Sequence, residues 1–290
     1  GRHRWPTRAR WEPSSPAGTG RSGQPRSEAN RTSVRRRDPD VRARIGAASH
    51  AGDLTRSTCN TPAVEQTRRG PAEPPTTGWQ FPEVDSVDPD GLVAVGADLQ
   101  PGTLLEAYRG GFFPMPVGEP QRMGWWSPDP RGVIEPANLH VSRSLTRSMR
   151  RFEVTIDRCF TDVMTACGDP SRPHGWINAP IVEAYTELHR LGWAHSVEIW
   201  ADGELAGGLY GVSIGAFFAG ESMFHRVTDA SKAAVVAVVR QLEQVPDALF
   251  DVQWTTPHLT TLGASDIRRV DYLKRLRRAV AAPGPGWDLT

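Results

Sequence analysis

Cysteine is scarce in this chain: Cys59, Cys159 and Cys167 are too few and too scattered for a disulfide framework or a zinc site. Methionine is absent before Met115, and residues 1–75 contain neither lysine nor phenylalanine. Nothing near the start resembles the apolar stretch of a signal peptide. The most apolar run, Ala233 to Val239, is far shorter than the roughly 20 residues that span a bilayer. The chain lacks a Walker-type P-loop, a GxGxxG after an expected strand, a CxxC pair and an HExxH. His140, His174, His189, His195, His225 and His258 show no ligand spacing. Together these absences argue against nucleotide hydrolysis, a metal or another cofactor. They lead to the expectation of a soluble, cytoplasmic monomer that stays off membranes.

A formal charge of +1 conceals two unlike segments. Residues 1–75 carry 15 arginines against 7 acidic residues, or +8, and the remainder carries 19 basic against 26 acidic groups, or −7. Among the first 75 residues only Val34, Val41, Ile45, Leu54 and Val64 supply aliphatic bulk. Such a segment buries too little apolar surface to offset its ordering entropy, so residues 1–78 are expected to be a disordered basic extension and linker. An arginine-rich arm can hold tRNA phosphates through counterion release; equally, the arm can be irrelevant to function. With no methionine before Met115, a misassigned start with upstream sequence translated in frame is the expectation.

Trp79 opens the expected globular part. Residues 79–137, rich in Gly, Pro and Trp, read as a small turn-rich domain, with one helix from Pro101 at its first position to Gly110 just past its end. Residues 138–280 read as a second domain, followed by a tail, 281–290. In the second domain Ser142 caps a helix to about Arg151, Val154–Ile156 is a short strand, and Asp157 caps a helix through Cys167. Ile181, Tyr185 and Leu188 share one helical face. A hairpin runs through Ser196–Trp200, a turn at Asp202-Gly203 and Leu205–Ile214. Ala216–Phe224 and Leu249–Trp254 read as strands, Asp229 as the cap of a helix over 231–244, and 271–280 as the last helix. Strands flanked by helices with hairpins between them indicate an α+β fold of mixed α/β layers.

Four features stand out as candidate chemistry. Trp125 and Trp126, ahead of two prolines, either present a flat aromatic surface to a base or form the small domain's core. Arg143, Arg147 and Arg150 or Arg151 fall on one helical face with no acidic residue between them. That suits a phosphate backbone or simply a solvated face. Asp251 and Gln253 stand two apart in an apolar strand and are expected on the same side of it. They form either a structural pair or a site in which the acid orients the amide. Glu221, after Gly220 near a strand end, is either an exposed charge or the anion that meets an incoming amine.

Read in order, the motifs resemble one family. They are GLVAVGADL (91–99), GGFFP (110–114), WWSPDPR (125–131), HVSRS (140–144), AHSVEIW (194–200), AGGLYGV (206–212), GESMF (220–224), DASKAA (229–234), DVQ (251–253) and LGA (262–264). This succession is similar to the leucyl/phenylalanyl-tRNA–protein transferases and covers about 79–276. The resemblance implies a small N-terminal domain and an acetyltransferase-like (GNAT-type) C-terminal domain. It also implies transfer of Leu or Phe, and less readily Met, from aminoacyl-tRNA to proteins bearing an N-terminal Arg or Lys, which marks them for N-end-rule degradation. Carried over residue by residue, it makes Asp251, Gln253 and Glu221 catalytic, with Trp176, Leu209 and Phe218 as the aminoacyl pocket. Arg143, Arg147, Arg150, Arg151, Trp125 and Trp126 become the tRNA contacts. Two departures are Met115, where many relatives carry tryptophan after FP, and Leu209, where methionine is common.

The chemistry suits these residue types. An aminoacyl ester is already activated, so orientation beside an amine supplies most of what is needed, about 7–11 kcal/mol in favourable cases. The expectation is that Asp251 helps remove the amine's excess proton or polarises Gln253, which orients the amine. Two rivals are an acyl-CoA-dependent N-acetyltransferase and a non-catalytic tRNA-binding module. Against the first, the HRVTDAS segment (225–231) lacks a glycine-rich pyrophosphate loop.

Overall fold

The computed structural model describes residues 70–84, 91–118, 121–172 and 176–287. The expected basic extension through residue 69 and His174 lie outside the described residues. Two sheets organise the described residues. The smaller is antiparallel, in the order β1-β3-β2, from β1 (Leu92–Val95), β2 (Phe113–Val117) and β3 (Arg122–Trp126). Helix α1 (Pro101–Arg109) lies between β1 and β2 in sequence and begins with Pro101 at its first position, as expected. Strand β2 holds both Pro114 and Pro116, which it tolerates as an edge strand. Trp125 is fully buried here, its indole N–H donating to the Gly96 carbonyl at 2.7 Å.

The larger sheet has seven strands. In chain order they are β4 (Arg131–Ile134), β5 (Glu153–Ile156), β6 (Ala194–Ala201), β7 (Glu204–Ile214), β8 (Phe217–His225), β9 (Leu249–Gln253) and β10 (Ala264–Ile267). Their spatial order is β10-β4-β9-β8-β7-β6-β5, antiparallel throughout except for the β8/β9 pair. Strand β4 belongs to this sheet, so the chain passes from the small sheet to the large one around Ser127–Pro130 instead of at 137/138. The reason is pairing: Val133 faces Asp251 on one side and Ser265 on the other.

Among the described residues six further α-helices accompany the sheet: α2 (Arg143–Met149), α3 (Phe160–Cys167), α4 (Ala179–Arg190), α5 (Ala230–Leu242), α6 (Pro257–Thr260) and α7 (Arg269–Ala281). Alternation along β7 and β8 splits the core in two. Tyr210, Val212, Phe217 and Ala219 pack with α3, α4 and α7, whereas Leu209 and Phe218 pack with α5. Helix α5 carries four valines, poor intrinsic helix formers. It forms because Val235, Val236, Val238 and Val239 are all buried, and tertiary packing outweighs propensity. This is the mixed α+β layering expected.

Local signals were mostly obeyed. Ser142 accepts from the Leu145 N–H at the start of α2, and Asp202 and Gly203 both take positive φ in the two-residue β6/β7 turn. Two expected caps differ. Helix α3 starts later, at Phe160, and the Asp157 carboxylate instead receives the Ser196 N–H and faces His195. Asp229 stands at the start of α5 with φ 71°, and its carboxylate accepts from the Ser148 hydroxyl and not from the helix. The end of the expected linker is also held: Ala72 N–H donates to Leu191, its carbonyl accepts from the Trp193 indole, and Glu73 pairs with Arg109.

Candidate active site

The parallel strands β8 and β9 run side by side only from Phe217–Ala219 against Leu249–Asp251. Beyond that they part, β8 continuing along β7 to His225 and β9 ending beside β4. A cavity of about 220 Å³ occupies this region, walled by Leu209, Met223, Val235, Phe250, Val252 and Leu259 together with Phe113, Met115, Trp176 and Trp254. Glu221 and Gln253 are the acid and the amide in its lining. For scale, an apolar cavity of ~150 Å³ admits benzene, so this one has room for a single leucyl or phenylalanyl side chain.

Both polar residues owe their aim to bulges. Between β7 and β8, Tyr210 pairs with Ser222 and Gly211 with Gly220, leaving Glu221 as the extra residue. Between β4 and β9, Gly132 pairs with Gln253 and Val133 with Asp251, leaving Val252 as the extra one. A bulge re-aims side chains locally. Gln253 also takes φ 59°, and the Trp254 N–H donates to the Val252 carbonyl at 2.7 Å, closing the rarer, strained form of γ-turn around it. Gly132 permits this turn, since a Cβ there would stand 2.8 Å from the Thr255 nitrogen and the Trp254 carbonyl carbon.

Two atoms of residues that line this cavity lack hydrogen-bond partners among the described residues. Glu221 Oε1 and Gln253 Nε2 are buried without a hydrogen bond, one an acceptor and the other a donor. Such atoms cost roughly 1–3 kcal/mol each while unmet, which makes them natural partners for a ligand. The other carboxylate oxygen of Glu221 accepts from the Tyr185 hydroxyl at 3.3 Å, and Tyr185 in turn shares a short hydrogen bond with Tyr108. Burial pushes the Glu221 carboxyl up to about 8, against the pull of the two tyrosine hydroxyls and of Arg131 and with the help of Asp251's charge.

Asp251 is placed differently from its expectation. It is wholly buried and does not line the cavity. Its Oδ1 accepts from Arg131 Nε at 2.9 Å and from the Gln253 backbone N–H at 2.9 Å. Its Oδ2 accepts from Arg131 Nη2 at 2.6 Å and from the Tyr272 hydroxyl at 2.9 Å. The intervening bulge at Val252 removes the simple two-residue alternation, so acid and amide do not share a side of the strand. Asp251 reaches the main chain of Gln253, not its amide group. Phe218 also departs from the expected pocket. It lies where β8 and β9 are still paired, fully buried against Phe250 and Trp287. Of the expected site residues, Trp176, Leu209, Glu221 and Gln253 thus converge, while Asp251 and Phe218 stand behind them.

The comparisons with known proteins agree with the motif order. The family model for "Leucyl/phenylalanyl-tRNA protein transferase" matches residues 133–277, and its N-terminal-domain counterpart matches 97–129. A leucyl/phenylalanyl-tRNA–protein transferase of Aromatoleum aromaticum is 50% identical over 213 residues, covering 71% of this chain and 90% of that protein. One from Thiobacillus denitrificans is 48% identical over 217 residues, covering 73% and 95%. The chain belongs to the leucyl/phenylalanyl-tRNA–protein transferase family. A GCN5-related N-acetyltransferase-like protein from Streptococcus suis superposes at TM-score 0.29 with 13% identity, covering 57% of this chain and 64% of that one, a likeness too slight to build on.

For this member of the transferase family, the remaining expected residues fall in two other places. Trp125 is core, whereas its neighbour Trp126 is half-buried, donates its indole N–H to the Met115 carbonyl and meets Trp254 edge-on. Arg143, Arg147, Arg150 and Arg151 lie at or near the surface, and among the described residues none of them makes an ion pair. Nearby His140, Ser142, Leu145, Lys232 and Thr260 line a separate, open cavity of about 480 Å³. Among the described residues no helix is long and apolar enough to cross a membrane, and no three His, Cys, Asp or Glu residues group to hold a metal ion. Three contributors escaped the sequence reading. Arg131 was visible only as the last letter of WWSPDPR, the Tyr108–Tyr185 pair carries no local signal, and Trp254 read simply as a strand end.

Proposed function

We propose that this chain transfers Leu or Phe, and less readily Met, from aminoacyl-tRNA to the N-terminal Arg or Lys of acceptor proteins in the cytoplasm, marking them for degradation. One observation carries this reading: an apolar cavity sized for one side chain is lined by Glu221 and Gln253, whose Oε1 acceptor and Nε2 donor are buried without hydrogen-bond partners among the described residues. The reaction forms a bond between the acceptor's α-nitrogen and the ester carbonyl carbon and releases the tRNA's terminal ribose hydroxyl. The leucyl or phenylalanyl side chain occupies the cavity between Leu209, Trp176 and Phe250. A methylene more or less in such a pocket changes affinity by only about 1–3 kcal/mol, which suits a loose preference extending to Met.

The Gln253 amide donates to the ester oxygen as charge builds there; a single donor of this kind is worth about 2.7–4 kcal/mol. Glu221 meets the attacking amine. An α-ammonium titrates near 7.7–8, and burial raises the Glu221 carboxyl to about 8, so its ionised form is a stronger base than an ordinary carboxylate and can take the proton that the amine sheds. Asp251 is a positioning residue in this scheme: it holds the Gln253 main chain and is itself neutralised by Arg131.

The test is transfer of labelled Leu or Phe from charged tRNA to an Arg-initiated peptide. Wild type should transfer both, and Glu221→Ala and Gln253→Ala should each lose at least tenfold in kcat/KM while remaining folded. Absence of transfer by wild type, alongside tight binding of acetyl-CoA, would replace this reading with an acetyltransferase.

A further inference from the structure

Trp254 immediately follows Gln253 and is 39% exposed while lining the cavity. An indole left this open in a cavity wall offers part of its ring to an occupant. Its neighbours hold the indole in place. It meets Phe113 at 5.0 Å and Trp126 at 6.2 Å, both near-perpendicular, and its backbone is turned by the γ-turn at Gln253 and packed against Gly132. One residue further on, the Thr255 hydroxyl donates to both oxygens of Asp266, at 3.0 and 3.1 Å. Asp266 lies on β10, directly across Gly132 from the end of β9. It is exposed and makes no ion pair among the described residues, while the nearest basic neighbour in sequence, Arg268, is taken by Asp271.

An exposed indole, followed in the chain by a threonine that holds a carboxylate free of any ion pair among the described residues, offers the two kinds of group that suit a cation. A guanidinium or ammonium is drawn to the ring face and to the acid together, whereas a phosphate would be repelled by the same acid. Resting on the transfer reaction above, we propose that Trp254 and Asp266 form the subsite for the basic side chain of the acceptor's N-terminal Arg or Lys. The α-amine of that residue then reaches Glu221 and Gln253 while its side chain lies over the indole. This locates the acceptor's specificity just past the end of β9 and on β10, with Trp254 as the exposed edge of the aminoacyl cavity. It also gives a reason for Thr255, which orients the acid.

The experiment compares peptides beginning with Arg and with its uncharged analogue citrulline, at saturating charged tRNA, for wild type, Trp254→Leu, Trp254→Phe and Asp266→Asn. Trp254→Leu should raise the KM for the Arg peptide about fivefold, equivalent to ~1 kcal/mol, and Trp254→Phe should restore most of it. Asp266→Asn should raise it about threefold, with the difference from wild type shrinking in 1 M salt. Both changes should narrow the preference for Arg over citrulline, and Asp266→Asn, which lies outside the cavity lining, should do so while leaving the KM for charged tRNA in place. An unaltered Arg-to-citrulline preference overturns the proposal, as does a rise confined to the tRNA KM, which would make the indole a platform for a base. No transfer by wild type to any peptide would instead strike the function reading on which the subsite rests.

Discussion

Replacing Asp251 should weaken the fold before it reveals any chemistry. Its partner Arg131 is 1% exposed, with the guanidinium carbon 4.8 Å from the Phe113 ring and 4.5 Å from the Tyr272 ring and one Nη donating to Gly111. Asp251→Ala strips two charge-assisted bonds from that guanidinium and leaves the Tyr272 hydroxyl and the Gln253 N–H unmet. Breaking one side of a buried ion pair costs about 3–5 kcal/mol, because the remaining charge has no solvent. At about 2–4 °C per kcal/mol for a unit of 150–250 residues, melting should fall by roughly 6–20 °C. The double variant Arg131→Met/Asp251→Leu removes both charges and should be less destabilised than Asp251→Ala alone. Circular dichroism melts run beside single-turnover transfer on the same samples check both statements. If Asp251→Ala melts within about 2 °C of wild type, less than the smallest shift expected, yet transfers roughly a hundredfold more slowly, Asp251 acts on the reacting atoms and the positioning argument is wrong.

Three further outcomes follow from the same geometry. Glu221 has a folded value of about 8, raised by burial above the ordinary 4.5; its contribution to stability is therefore complete below pH 4.5 and is lost as pH rises towards 8. Glu221→Gln should accordingly gain in melting temperature relative to wild type as pH goes from about 5 to about 8, then level off; a flat difference would disprove the shift. Gly132→Ala places a methyl 2.8 Å from the Trp254–Thr255 backbone and should cost about 1–3 kcal/mol as well as transfer rate, read by melts and by kcat. Arg143→Ala/Arg147→Ala/Arg150→Ala should weaken tRNA binding irrespective of the amino acid carried. It should also reduce the slope of log K against log salt by about 0.7–0.9 for each phosphate no longer neutralised; an unchanged slope would remove α2 from the tRNA interface.

Much of the fold could be read from local chemistry. The Ser142 cap, the Asp202-Gly203 turn and the Ile181/Tyr185/Leu188 face of α4 each depend on neighbours a few residues away. The small sheet was harder, because its strands carry Pro114, Pro116 and Gly124, which read as turns until an edge strand and a close crossing accommodate them. Trp176, Leu209, Glu221 and Gln253 were named from the motif order, and the cavity between β8 and β9 gathers them.

By itself, then, the sequence determined the family, the layered α+β class and most helix boundaries, since each is written in residue types and short spacings. Tertiary structure alone decided where Asp251 and Phe218 sit and what they touch. Alternation along a strand predicts sides only while the register is unbroken, and the bulge at Val252 breaks it. The partner that claims Asp251 lies 120 positions away, on a strand brought alongside by pairing that no local pattern encodes. Burying that charge required Arg131 beside it, and the desolvation cost of leaving either one alone fixed the pair in place.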